Sequence, residues 1–260
     1  MRCSIGSVLL LGSGIVAAAF LSLVPPIPQD PAYHAFADRR TILGVPHFWN
    51  VASNLPFVLV GLAGLRRLRR GSLPGGLPEL HPHYALFFLG TALVGVGSGY
   101  YHLAPSNATL LWDRLAMTIA FMPFFAAMLG ERLSLGVGRR TLLPLLILGP
   151  GSVLYWYGTE LLGRGDLRPY ALVQFLPLLL LPVLLLGFPS PLAGSGYLWG
   201  ALGAYGIAKL FEWQDAPLFA LLGMGGGHTL KHLAAAAGAS LFLLALERRQ
   251  AAGACPPSGD

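Results

Sequence analysis

The sequence predicts an all-α protein, a polytopic bundle of membrane-spanning helices. Of its 260 residues, 55% are hydrophobic and only 11% are charged, far from the balance of a water-soluble domain. The apolar stretches are each close to the roughly 20 residues that a helix needs to cross a bilayer. No long polar insertion separates them, so we interpret residues 1–260 as a single integral membrane domain.

Eight stretches are apolar and long enough to form transmembrane helices. They cover residues 5–24, 48–65, 83–104, 109–130, 141–159, 169–187, 195–213 and 228–247. The last seven form a core over residues 48–247, and the first is an additional N-terminal helix. The alternative for residues 5–24 is a secretory signal, but the apolar run is long for a signal and no clear A-x-A cleavage site ends it. Cys3 and Cys255 lie near opposite ends of the chain and form no disulfide framework.

The basic residues are unevenly divided between the two ends of the predicted helices. One end carries ten of the seventeen lysines and arginines: Arg2, Arg66, Arg67, Arg69, Arg70, Arg132, Arg139, Arg140, Arg248 and Arg249. The other end carries Arg39, Arg40, Arg164 and Arg168 among the acidic residues Asp30, Asp38, Glu160, Asp166 and Asp215. By the positive-inside bias, the first end and both termini are cytoplasmic, in the cell membrane if the source is prokaryotic. This distribution explains the net charge of +6, so the charge does not indicate that the protein binds nucleic acid.

Ionisable side chains inside predicted membrane helices are candidates for function, because charge is costly in a bilayer. His102 lies near the outer end of the third helix, Asp113 lies one turn into the fourth, and His228 begins the eighth. The turn A-P-S-N-A-T between His102 and Asp113 contains helix-capping residues. We therefore expect His102 and Asp113 at similar depth on neighbouring antiparallel helices.

Spacing within the helices adds two residues to this group. Ser98 precedes His102 by four positions and His232 follows His228 by four, and residues four apart share a helix face. Three imidazoles and an open position form the tetrahedral site of catalytic zinc, which acidifies a water molecule. A structural hydrogen-bond cluster and a pair of haem-ligating histidines fit the same spacing, so these alternatives stay open.

Four motifs in order resemble the alkaline ceramidase family. F-W-N-V-A-S-N at 48–54, S-G-Y-Y-H at 98–102, Asp113 and G-H-T-L-K-H at 227–232 match its FWN-x-x-SN, S-x-x-x-H, D and H-x-x-x-H elements. The resemblance runs from about residue 33 to residue 247. The family belongs to a superfamily of seven-helix membrane hydrolases that also includes adiponectin-type receptors and enzymes that remodel the lipids of GPI anchors.

The resemblance implies a zinc-dependent amidase that hydrolyses ceramide-like lipid amides to a sphingoid base and a fatty acid. By it, His102, His228 and His232 are zinc ligands, Asp113 activates the attacking water and Ser98 stabilises the oxyanion. The implied partners are a lipid substrate and the bilayer, with no nucleic acid. Two alternatives stay open: a receptor-like or lipid-remodelling hydrolase that acts on another acyl lipid, and a non-enzymatic haem- or metal-binding membrane protein.

The sequence departs from the family pattern in two places. Eukaryotic ceramidases carry an acidic N-terminal segment that resembles a calcium site, with a glutamate directly before F-W-N. Here His47 occupies that position, and Asp38 is the one carboxylate in Y-H-A-F-A-D-R-R-T-I-L-G-V-P-H-F-W-N. Zinc is therefore the expected cofactor and calcium dependence is doubtful. The helix at 5–24 is also additional to the seven-helix pattern.

Two acidic residues before the last helix have two interpretations. Glu212 and Asp215 either accept hydrogen bonds from the zinc histidines and orient them, or they belong to the helix end, where Lys209 pairs with Glu212. Four aromatic residues are interpreted as anchors at the membrane interface: Tyr100, Tyr101, Trp112 and Trp213.

Three polar residues form a stripe on the second predicted helix. We interpret Asn50, Ser53 and Asn54 mainly as partners in hydrogen bonds between helices, with membership of the site as the alternative. His81 and His83 fall at the cytoplasmic end, beside the arginine-rich connection, and we exclude them from the site.

The charge distribution yields a testable topology. A reporter fused after Arg249 is expected in the cytoplasm, and one inserted before Arg164 is expected outside, because the basic residues concentrate at the first of these ends. Paired phosphatase and fluorescent-protein fusions measure both positions. A cytoplasmic signal from the 160–168 loop would contradict the assignment and place the histidines at the inner face.

Overall fold

A computed structural model describes residues 2–251, apart from the side chains of residues 2–7, 9 and 10, and it confirms a helical membrane bundle. Within this part of the chain no β-strand forms, and only isolated bridges pair Ile42 with Val45 and Leu192 with Ala251. Cys255 and the side chain of Cys3 lie outside the described residues.

The helices follow the predicted order. Their bounds are α1 Arg2–Leu23, α2 Phe48–Ala52, α3 Leu55–Arg69, α4 His81–Leu103, α5 Asn107–Arg132, α6 Leu135–Leu161, α7 Arg168–Gly187, α8 Gly196–Trp213, α9 Asp215–Leu222 and α10 Gly227–Arg248. Short 3₁₀ helices lie at Pro31–His34 and Pro78–Leu80. A helix is therefore present at each of the eight predicted stretches.

Six segments are long and apolar enough to cross a membrane. They are Phe48–Arg69, Pro78–Leu103, Asn107–Arg132, Leu135–Leu161, Arg168–Gly187 and Gly227–Arg248. Helix α8 carries Lys209 and Glu212, which lower its mean hydropathy, and in α1 the apolar part described is Leu11–Leu23. The crossing of these two helices stays a prediction.

Two details differ from the expected helices. The stretch predicted as one helix at 48–65 consists of α2 and α3, with a break at Ser53 and Asn54, because Pro56 has no N–H with which to continue the α2 hydrogen bonds. Helix α9 lies in what we expected to be a connection, and it ends at Gly223, which adopts the left-handed conformation at φ 68°.

Hydrogen bonds between connections define the two ends of the bundle. At the outer end, the N–H of Leu167 donates to the Ile27 carbonyl at 2.8 Å. At the inner end, the N–H of Gly75 donates to the Leu246 carbonyl at 2.7 Å. The arginine-rich connections lie at the inner end and the histidine motifs at the outer end, as expected. Which end faces the cytoplasm stays a prediction.

Glycines let α4 approach its neighbours closely. A Cβ atom at Gly90 would collide with the backbone of Ala120, and one at Gly97 would collide with the carbonyl of Trp112. Small residues at such positions allow helices in a membrane to pack backbone against backbone. The contact at Gly97 fixes the relative depth of α4 and α5 beside the predicted site.

One of the four aromatic residues expected at the membrane interface is buried instead. Tyr101 is 1% exposed, whereas Tyr100, Trp112 and Trp213 are 50%, 55% and 78% exposed. The Tyr101 hydroxyl is hydrogen-bonded to Nδ1 of His34 at 2.9 Å. The interfacial interpretation was wrong for Tyr101 because the N-terminal segment, residues 24–47, folds back over this part of α4.

A buried ion pair joins α5 to the end of α10. Arg249 Nη1 and Nη2 each donate to one oxygen of Glu131 at 2.9 Å, and both side chains are 0% exposed. The neighbouring Arg132 donates to the Phe188 carbonyl at 3.1 Å and to the Ser195 hydroxyl at 2.8 Å. These contacts connect three parts of the inner end of the bundle.

Replacing Arg249 with alanine is expected to destabilise the protein by roughly 3–5 kcal/mol, because it leaves the Glu131 carboxylate buried without its bidentate partner. The matched control is Arg248→Ala, since Arg248 is adjacent but exposed. Thermal unfolding in detergent compares the two variants. Equal midpoints would show that the pair does not hold the inner end together.

Candidate metal centre and catalytic site

The three predicted histidines converge at the outer end of the bundle. His102 lies in the last turn of α4, and His228 and His232 lie in the first two turns of α10. All three are buried, and one nitrogen from each lies within 4.8 Å of the others. The ring centroids are 4.9–5.0 Å apart. Spacing on two separate helices thus produces one compact group.

The start of α10 is positioned by a close contact with the end of α8. A Cβ at Gly227 would overlap the carbonyl oxygen of Phe211 and the backbone of Asp215. Glycine is therefore the residue that fits where the chain enters α10. Oδ1 of Asp215 also accepts the N–H of His228 at 2.8 Å, a favourable place for a carboxylate at a helix N-terminus.

His232 is oriented by the junction between α2 and α3. The Ser53 hydroxyl donates to the Asn50 carbonyl at 3.2 Å, and its oxygen lies 2.8 Å from Nδ1 of His232. When the Ser53 hydroxyl donates to Asn50, its oxygen accepts from Nδ1–H of His232, and that tautomer leaves the Nε2 lone pair for a metal. Asn50 holds α10 at the same level, because its Oδ1 accepts the Thr229 hydroxyl at 2.7 Å.

Several imidazole nitrogens have no protein partner. Among residues 2–251, Nδ1 and Nε2 of His102 and Nε2 of His228 are buried without a hydrogen bond. An unsatisfied buried polar group costs about 1–3 kcal/mol, so three in one cluster require an explanation. A metal ion bound to one nitrogen of each ring would satisfy Nε2 of His228 and one of the two His102 nitrogens, and imidazole nitrogen is an ordinary zinc ligand. The histidines fit a metal centre.

Phe36 covers the histidines from the outer side. Its ring centroid is 4.6 Å from that of His102 and 4.4 Å from that of His228. The rings of the two histidines are themselves 4.9 Å apart, with Phe36 packed against both. This packing leaves no space for a porphyrin between them and argues against the haem interpretation.

Ser98 and Asp113 lie together beside the histidines. Both side chains are buried, and they lie where Gly97 of α4 packs against the backbone of Asp113 in α5. Ser98, Asp113 and His232 line one cavity of about 500 Å³. The close contact at Gly97, one position before Ser98, brings the two helices near enough for this arrangement. The hydroxyl and the carboxylate therefore share a cavity with one of the three histidines, and their roles stay a prediction.

Glu212 and Asp215 do not hydrogen-bond to an imidazole ring. The two oxygens of Glu212 accept from Lys209 at 2.6 Å and from Lys231, which corresponds to the helix-end interpretation with a second lysine added. Oδ2 of Asp215 accepts the N–H of Ala37 at 2.9 Å. Asp215 thus holds the backbone of His228 and the N-terminal segment rather than a histidine side chain.

The N-terminal segment, residues 24–47, is tied to the turn before α10. Asp38 accepts from Nε of Arg40 and from the N–H of Gly225, both at 2.8 Å, while Arg40 Nη1 donates to the Gly223 carbonyl at 2.9 Å. The hydrogen bonds from Arg40 hold the pKa of Asp38 below its usual range, although burial opposes this. Asp38, the one carboxylate in the stretch that corresponds to the calcium site of eukaryotic ceramidases, is therefore paired with the guanidinium of Arg40.

Three features of the site escaped the sequence reasoning. Ser53 was assigned mainly to packing between helices, yet it contacts His232. Phe36 carried no motif, and its position depends on the fold of the segment. Arg114 was overlooked, although a charged residue in the predicted fourth helix is itself a signal of function. His83, which was excluded, is hydrogen-bonded to the Gly138 carbonyl at the inner end.

Residues 44–163 match the family model described as Ceramidase. The matched segment includes Ser53, Ser98, His102 and Asp113 and ends before α10. No curated protein matches the chain. The match confirms the resemblance to ceramidases over this part of the chain and supports a ceramidase-type hydrolase.

Purified protein is expected to contain about one zinc ion per chain, and His232→Ala is expected to lose it, because two imidazoles hold zinc poorly. The control is His83→Gln, which changes a buried histidine outside the group and preserves a donor to the Gly138 carbonyl. Elemental analysis by mass spectrometry measures both. Full zinc occupancy in His232→Ala would remove His232 from the ligand set.

Proposed function

We propose that the protein is a zinc-dependent membrane amidase that hydrolyses ceramide-like lipid amides to a sphingoid base and a fatty acid. The observation that carries the proposal is the group of three buried histidines, of which His232 shares a cavity with Ser98 and Asp113, in a chain whose residues 44–163 match the Ceramidase family model. Neither the histidine group nor the family match alone specifies both the metal chemistry and the substrate class.

The cavity beside the histidines supports an amphipathic substrate. Its volume of about 500 Å³ is typical of a site for a small molecule or a lipid segment. Its outer part contains Ser98 and Asp113, and its inner part is lined by Phe124, Leu181 and Phe242. A lipid amide would place its acyl chain against the inner aromatic and aliphatic side chains and its amide beside the polar residues.

The proposed reaction divides among the residues according to their chemistry. His102, His228 and His232 would hold the zinc ion. When bound, zinc supplies polarisation of the amide carbonyl and acidification of a water molecule. Asp113 takes a proton from the water that attacks the carbonyl carbon, and it delivers that proton to the amide nitrogen as the C–N bond breaks. The products are a carboxylic acid and a free amine.

Ser98 and Phe36 support this chemistry in different ways. The Ser98 hydroxyl donates a hydrogen bond to the carbonyl oxygen as that oxygen gains negative charge. Phe36 separates the histidines from the outer surface and so excludes bulk water, which strengthens the electrostatic interactions within the site. Ser53 keeps His232 in one tautomer and one orientation.

Asp113→Asn is expected to keep its zinc and to lower turnover by roughly a hundredfold or more, the effect of losing general acid–base help. Ser98→Ala is expected to keep zinc and to cost less, because the metal also stabilises the oxyanion. The measurements are zinc content and release of fatty acid from ceramide.

The matched control for Asp113→Asn is Trp112→Phe, since Trp112 is adjacent and more than half exposed. This control is expected to retain both zinc and turnover. Parent-like hydrolysis by Asp113→Asn, or loss of its zinc, would withdraw the assignment of Asp113 as the proton carrier.

A further inference from the structure

Arg114 is a buried cation that has no carboxylate partner in the described part of the chain. It is 5% exposed and directly follows Asp113 in α5. None of the ion pairs formed by residues 2–251 includes it. Its Nη2 donates to Oε1 of Gln29 at 2.7 Å, and its Nη1 is buried without a hydrogen bond. A guanidinium in such surroundings normally carries a paired anion.

Aromatic rings hold the guanidinium in place without neutralising it. Its central carbon lies 4.1 Å from the ring centroid of Trp156, 4.8 Å from that of Tyr170 and 5.6 Å from that of Tyr33. Cation–π contacts of this kind stabilise the charge and fix the plane of the guanidinium. They leave its edge, where Nη1 lies, available to an oxygen ligand.

The carboxylates adjacent to Arg114 or to its partner Gln29 form no ion pair with it. Asp113 precedes it in α5, and Asp30, which also lines the cavity, accepts the N–H of Ala32 at 2.8 Å. Oε1 of Glu160 accepts the N–H of Gln29 at 2.7 Å and the Trp156 indole N–H at 3.2 Å. Glu160 therefore contacts Arg114 only indirectly, through Gln29 and Trp156.

Arg114 lines the same cavity as Asp113, Ser98 and His232. From its burial, its free Nη1 and this position, we propose that Arg114 binds an anionic group, a carboxylate or a phosphate, in the head of the lipid amide that enters the cavity. Arginine recognises both groups through paired N–H donors. The inference rests on the proposed function for the position of the reacting amide, and it names the substrate class more closely.

Helix geometry places this anion on the head side of the substrate. Consecutive residues of an α-helix are 3.8 Å apart at Cα and point about 100° apart around the helix axis. Arg114 therefore lies beside Asp113, at nearly the same depth in the cavity. Phe124 lies ten residues beyond Arg114, about 15 Å farther along α5 and in the apolar part of the cavity. An anion at the far end of the acyl chain would not reach Arg114.

Unlike Arg114, the two lysines in the cavity wall already have a carboxylate partner and are less available to bind an anion. Lys209 and Lys231 each form an ion pair with the carboxylate of Glu212. The Lys209 ammonium also lies over the ring of Phe175 at 5.8 Å. Arg114 is thus the cation of the cavity wall that has no charged partner among the described residues.

Equilibrium binding to the full-length Asp113→Asn variant tests the inference without requiring turnover. N-oleoylglycine and N-oleoylethanolamine share the acyl chain and the amide, but only the first carries a carboxylate. The glycine compound is expected to bind at least tenfold more tightly. Adding Arg114→Gln, which preserves a donor to Gln29, is expected to abolish this difference, while Arg114→Lys should retain part of it.

Equal binding of the two ligands with Arg114 intact would overturn the inference, whether or not the Arg114 variants fold. A preference that persists in Arg114→Gln would assign the charge recognition elsewhere and would also overturn it. Failure of ceramide hydrolysis by the parent protein, together with retained charge preference in binding, would contradict the proposed function alone.

Two further ligands distinguish the sources of the anion. Ceramide 1-phosphate is compared with ceramide for a phosphate head, and oleate is tested as a carboxylate product. Dependence on Arg114 for N-oleoylglycine or ceramide 1-phosphate supports recognition of the head. Dependence for oleate alone would show that Arg114 holds the released fatty acid and would overturn the head assignment.

Discussion

The burial of three imidazoles in one cluster is the constraint on which the outer end of the bundle depends. His102 and His228 together present three buried nitrogens without protein hydrogen bonds. Such groups are tolerated when a ligand satisfies them, and their neighbours are arranged so that they remain available. Ser53 fixes His232 from the side, and Phe36 closes the outer face. The surrounding contacts therefore position the rings without occupying the nitrogens that face one another.

The close approach of helices determines where these residues meet. The contact at Gly97 sets the depth of α4 against α5, and the contact at Gly227 sets the start of α10 against α8. A Cβ at either position would collide with the backbone of the neighbouring helix, so a larger residue would shift a helix that carries the site residues. These two glycines therefore determine the geometry of the site as well as the packing of the bundle.

Sequence patterns predicted the helices and the principal site residues because both depend on local spacing. An apolar run of about 20 residues specifies a membrane helix, and residues four apart share a face. The contact of Ser53 with His232 joins positions 179 apart, and that of Asp38 with Gly225 joins positions 187 apart. The burial of Tyr101 and the contact of Lys231 with Glu212 likewise depend on long-range packing. No periodic pattern contains that information.

The N-terminal segment connects the two parts of the site. Phe36 packs on the histidines, Gln29 holds Arg114, and Asp38 ties the segment to the turn before α10. It is also where the sequence departs from the ceramidase pattern, since His47 precedes F-W-N and Arg40 is bound to Asp38, the one carboxylate of residues 33–50. That carboxylate is therefore already paired with a guanidinium, whereas Gln29, earlier in the segment, contacts the guanidinium of Arg114 beside the cavity. One stretch of chain, residues 24–47, therefore contains both the departure from the ceramidase pattern and the contact to the buried Arg114. The charge at the polar end of the cavity then depends on Arg114 as well as on the metal ligands.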